Sequence, residues 1–64
     1  MKIYYESDPI MGVNVIYDFN DQRYYDSFSS VTWFYAWASV EFSSSELVEI
    51  TELNYKQLSQ EGVI

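Results

Sequence analysis

Asp18, Asp21 and Asp26 fall within one short stretch of the chain, and Glu46, Glu49 and Glu52 recur at every third residue of another. Carboxylates grouped in this way support three kinds of chemistry: an acid–base pair, oxygen ligands for a cation, or a substitute for a run of phosphates. The first is poorly supplied. The chain has no histidine and no cysteine, so the commonest general base and the best nucleophile are missing. Neither a disulfide framework nor a thiolate metal site is available. Pairs such as Asp18 with Asp21 or Glu49 with Glu52 could in principle act as the two carboxyl groups of a glycosidase. Such enzymes need a substrate cleft, which a body of 64 residues can hardly enclose. An enzyme is therefore not expected, nor is a cofactor.

The second chemistry fails on spacing. Asp18, Asn20 and Gln22 alternate like the first ligands of a calcium loop. Such a loop needs glycine at its sixth position and glutamate at its twelfth, where this chain has Arg23 and Ser29. No metal site is expected. A Gly-rich phosphate cradle is excluded too, since Gly12 and Gly62 are the only glycines.

The third chemistry fits the charge. Ten acidic residues against Lys2, Arg23 and Lys56 give a net charge of −7. That charge repels nucleic acid and anionic membranes, whose binding requires lysine and arginine. It complements a basic protein surface, where opposite fields speed encounter and reject wrong partners. The same carboxylates also keep an aromatic-rich chain soluble. As partner contacts, Asp18, Asp21 and Asp26 rank first and Glu46, Glu49 and Glu52 second.

The elements that must position these groups can be read along the chain. "KIYYES" is rich in strand formers and is interrupted by Asp8-Pro9, where proline removes a ladder donor and a turn is expected. Gly12 opens "GVNVIYDFN", a second strand with both faces partly apolar. Asn20-Asp21 is good turn chemistry, and Arg23, Tyr24 and Tyr25 suit a short returning strand. Residues 31–42 could be a strand with Val31, Trp33, Tyr35 and Trp37 on one face. The helical pattern is better organised: Val31, Phe34, Tyr35, Ala38 and Phe42 form one stripe of a 3.6-residue period. Ser29 or Ser30 is a suitable N-cap. "ELVEIT" reads as a strand, with Val48 and Ile50 on one face against Leu47 and Glu49 on the other. Thr51 is placed to cap a last helix, "ELNYKQLSQ", with Glu52 and Lys56 as an i, i+4 pair and Gly62 as its left-handed stop. The expected fold is one α+β domain over residues 1–64, ordered β-β-(β)-α-β-α. Its sheet is small, two- to four-stranded and mainly antiparallel, with both helices on one face.

Aromatic residues supply a second set of candidate contacts. Trp33, Trp37 and Val40 form a stripe nearly opposite the core stripe, and a helix apolar all round must be covered on both sides. The cover could come from the last helix, a second copy of the chain or another protein. Tryptophan and tyrosine are the preferred anchors of binding surfaces. In the doublets Tyr4-Tyr5 and Tyr24-Tyr25, one member of each must face away from the core. Trp33, Trp37, Tyr24 and Tyr25 are the aromatic candidates.

No apolar run approaches the roughly 20 residues of a membrane span, and "MKIYYESDP" lacks the apolar stretch of a signal peptide. A cytoplasmic protein without membrane contact is expected. The ending "ELVEITELNYKQLSQEGVI" resembles the strand-then-helix tails of small phage proteins. In composition the whole chain, acidic, cysteine-free and tyrosine-rich, is similar to phage inhibitors of host machinery, including anti-CRISPR proteins and DNA mimics. The resemblance implies a function class: binding and blocking a host protein, such as one that binds nucleic acid. The alternative is a structural module that homodimerises or docks into an assembly through the Trp33/Trp37 stripe.

Overall fold

The computed structural model describes residues 1–64. Its elements run β1 (Lys2–Asp8), β2 (Gly12–Phe19), β3 (Gln22–Phe28), α1 (Val31–Glu41), β4 (Glu46–Glu49) and α2 (Tyr55–Gln60). The fold is α+β, with a four-stranded sheet in the order β3-β2-β1-β4. β1–β2 and β2–β3 are antiparallel, and β4 lies parallel to β1. The parallel pair follows from connectivity. α1 carries the chain from one edge of the sheet to the other, as parallel strands require a crossover of this kind.

Both hairpins are written in their turns. Asp8 accepts hydrogen bonds from the N–H groups of Ile10 and Met11 at 2.8 and 2.9 Å, the local bonding for which aspartate is favoured in turns. Gly12 closes that turn at φ +93°, and a Cβ there would run into the carbonyl oxygen of Phe28. Asn20 and Asp21 both have positive φ, 51° and 63°. This is the two-residue turn whose twist matches the flanking strands.

One face of the sheet is the core. Ile3, Tyr5, Val13, Val15 and Tyr17 meet Phe34 and Ala38 of α1, with Phe28, Val31, Trp37, Phe42 and Leu47 packed around them. Residues 31–41 are helical, and Ser30 caps them by accepting from the Trp33 N–H at 3.3 Å. Of the expected core stripe, Phe34 and Ala38 are buried and Val31 and Phe42 pack against them. Tyr35 remains partly exposed while its hydroxyl meets that of Tyr5 at 2.9 Å.

The two helices do not share a face, contrary to the sequence expectation. Arg23, Tyr25 and Ile16 point away from α1, since their neighbours Tyr24 and Tyr17 stack on the core side. On that second face the Arg23 guanidinium donates to the Gly62 carbonyl at 3.2 Å. Tyr55 and Ile64 line a shallow groove there with Ile16 and Tyr25. The physical reason is that β2 is apolar on both faces, so Ile16 also needs cover. α2 is also shorter than expected. Asn54 accepts from the Thr51 N–H at 2.8 Å and donates to the Glu49 carbonyl at 2.9 Å, tying residues 51–54 into a turn. The helix therefore begins at Tyr55, and Glu52 and Lys56 form no ion pair.

Candidate functional site

The six candidate carboxylates are distributed rather than grouped. Strand alternation explains the separation of the first three. The turn at Asn20-Asp21 pairs Asp18 with Arg23 and Val15 with Asp26, which sends Asp18 to the α2 side of the sheet and Asp26 to the α1 side. Asp21 stands in the turn between them. Asp18 is also partly neutralised. It takes both the Nε and Nη2 of Arg23, at 3.0 and 3.4 Å, and that guanidinium holds its carboxyl below the usual carboxylate range. Asp26 accepts from the Tyr17 hydroxyl at 3.0 Å.

Glu46, Glu49 and Glu52 lie at the opposite edge. Glu49 pairs with Tyr5 and so faces α1, while Glu46 pairs with Lys2 and faces away. Glu52 is in the turn beyond β4. The carboxylates on the α1 side are thus Asp26 on one edge strand, Glu49 on the other and Glu41 at the end of the helix. The Arg23–Asp18 contact is the only ion pair in the molecule, so the carboxylates of this side carry uncompensated charge.

The aromatic candidates divide in the same way. Trp37 turns inward, with its ring 5.2 Å from Phe28, 5.5 Å from Tyr17 and 5.4 Å from Phe42. It belongs to the core, and the expected Trp33/Trp37/Val40 stripe does not exist as one surface. Trp33 and Val40 do face out, 66% and 79% exposed, with exposed Ala36 between them on the same side of α1. Tyr24 stacks on Tyr17 at 5.4 Å and is only partly exposed, whereas Tyr25 on the other face is 71% exposed.

The core side also perturbs two hydroxyls. Burial, then the bond to Asp26, pushes Tyr17 up to about 12. The bond to Tyr35, then burial, pushes Tyr5 up to about 12. Both stay neutral at ordinary pH and act as structural hydrogen-bonding groups.

Sequence reasoning missed Ile10 and Met11, both strongly exposed at the tip of the first hairpin. Their signal was available, since apolar residues are unusual inside a turn opened by Asp8-Pro9. No group of three or more acidic side chains is close enough to hold a metal ion. No helix is long and apolar enough to cross a membrane. The grooves are shallow, and the one containing both Lys2 and Arg23 measures about 300 Å³. No protein-family model matches the chain, and neither the curated proteins nor the solved structures give a match.

Proposed function

We propose that the chain is a non-enzymatic inhibitor of a host protein, of the kind phages encode, acting in the host cytoplasm. The outer surface of α1 is its contact face. Trp33 is the anchor, Val40 and Ala36 extend the apolar strip, and Asp26, Glu41 and Glu49 form an acidic surround. The partner presents a basic site with an apolar recess, such as a nucleic-acid-binding groove. Carboxylates meet lysine and arginine there as backbone phosphates would. Asp21, Glu46 and Glu52 contribute to the long-range field that steers encounter.

The observation that carries this reading is the exposed Trp33–Val40 strip on a molecule of charge −7 with a single ion pair. An exposed tryptophan is costly in water and is the residue type most enriched among binding anchors. Its acidic surround accounts for specificity more than for affinity.

The test is capture from host lysate at about 0.05 M and about 0.5 M salt, across which the screening length falls from over 10 Å to under 5 Å. Wild type is compared with Trp33→Ala and with Asp26→Asn combined with Glu49→Gln. The expected result is a host protein retained by wild type at low salt and weakened by high salt and by both variants. Retention indifferent to salt and to both variants would sink the proposal.

A further inference from the structure

β3 is an edge strand with β2 as its only neighbour, and every residue from Gln22 to Ser27 is exposed. The geometry of its turn determines which backbone groups are unpaired. A two-residue turn with positive φ at Asn20 and Asp21 makes Phe19 and Gln22 a hydrogen-bonded pair. Pairs then alternate along the register, so Tyr24 and Asp26 bond to β2 opposite Tyr17 and Val15. The N–H and C=O groups of Arg23, Tyr25 and Ser27 therefore point outward along the free edge.

We propose that two copies of the chain join through this edge, antiparallel, with a two-fold axis at Tyr25, into one continuous eight-stranded sheet. This proposal is independent of the inhibitor reading above. In this register Tyr25 pairs with its own copy and Arg23 with Ser27 of the second copy. All six outward backbone groups of each chain then find partners, and Tyr24 stands opposite Asp26. The neighbouring two-fold registers are worse. Centring on Tyr24 leaves the Ser27 groups unpaired. Centring on Asp26 sets two like charges face to face, which is destabilising, and leaves Arg23 opposite a residue beyond the strand.

A second copy is favoured over a foreign strand because the seam is self-complementary. β3 itself carries one cation, Arg23, and one anion, Asp26, so its own charges sum to zero on a chain of net charge −7. β3 lacks several of the devices that block edge pairing, and its charges are limited to Arg23 and Asp26. It has no proline and no lysine, and its register with β2 runs without a bulge. The other edge has such protection, since β4 is four residues long with glutamate at both ends. The assembly therefore closes at two copies.

Sedimentation equilibrium combined with amide hydrogen exchange tests this on the full chain. Wild type is expected to dimerise with rising concentration. The amides of Arg23, Tyr25 and Ser27 should gain protection in step with dimerisation, while those of Tyr24 and Asp26 are protected throughout by β2. Tyr25→Pro removes one outward donor. N-methylation of the Tyr25 amide in synthetic protein removes the same donor and keeps the side chain, should the proline disturb the strand. Each is expected to raise the dimer dissociation constant at least tenfold with the hairpin's circular dichroism unchanged. A chain still monomeric at about 1 mM would overturn the proposal, as would a dimer indifferent to N-methylation but abolished by Trp33→Ala. Species larger than a dimer would overturn it too.

Discussion

The two tryptophans lie four residues apart on one helix yet should respond to truncation with losses of very different size. Trp37 has four aromatic rings around it, Phe28, Phe42, Tyr17 and Phe34, with centroids 5.2, 5.4, 5.5 and 6.2 Å away. Removing a fully buried tryptophan costs about 3–5 kcal/mol. Trp37 is partly buried, so Trp37→Ala should cost about 3 kcal/mol, the lower end of that range. A chain of 64 residues has a total stability of about 3–10 kcal/mol, and a domain this small loses about 7 °C of melting temperature per kcal/mol. Trp37→Ala should therefore lower the midpoint by about 20 °C or leave the chain unfolded at room temperature. Trp33 gives up little on folding, being 66% exposed, and alanine is the better helix former by about 0.5 kcal/mol. Trp33→Ala should change stability by less than about 0.5 kcal/mol in either direction. Thermal and urea unfolding followed by far-ultraviolet circular dichroism measure both, with Trp37→Leu as a milder variant that keeps the chain folded. Equal losses at the two positions, or a larger loss at Trp33, would refute the division of α1 into inner and outer faces.

Gly12→Ala should destabilise by at least about 2 kcal/mol, because it combines a left-handed backbone with a clash against the Phe28 carbonyl. The urea midpoint reads it directly. Asn54→Ala removes the bonds to the Thr51 N–H and the Glu49 carbonyl and should cost about 1 kcal/mol for each. Faster amide exchange in β4 should accompany that loss. At high pH, Tyr17 and Tyr5 ionise near 12 when folded against an ordinary value of 10.0. Folding favours their neutral forms, so this stability is fully present below pH 10 and is lost as pH rises through the interval towards 12. Tyrosinate absorbance should show a late phase coinciding with loss of structure, and complete ionisation of every tyrosine in a chain still folded would contradict it.

The two hairpins are legible in the sequence because their turns depend on local chemistry. Asp8-Pro9, Gly12 and Asn20-Asp21 each impose a backbone conformation that few other residues adopt readily. The helix at 31–41 is legible from its period, but the direction of Trp37 is not. A helix that is apolar on every side carries no vector of its own, and only Tyr17 and Phe28 of the sheet decide which tryptophan turns in. The face chosen by α2 is hidden for a similar reason, since Ile16, which draws cover to the second face, reads simply as one more strand residue. The late start of α2 depends on the Asn54 side chain bonding backward instead of capping forward. Asp18, Asp21 and Asp26 look like a group only when chain distance stands for spatial distance. With the turn located, the pairing of Asp18 with Arg23 and of Asp26 with Val15 follows, and the group separates across the sheet.

The central claim is that Trp33 is the anchor of a partner surface, and its fluorescence tests that most directly. In a Trp37→Phe variant, Trp33 is the only tryptophan, and its emission and acrylamide quenching can be measured free and with the captured host protein labelled to be free of tryptophan signal. The expected result is emission characteristic of an exposed ring in the free chain, shifting to shorter wavelength in the complex with quenching strongly reduced. A complex in which Trp33 stays as quenchable as in the free chain would contradict the claim.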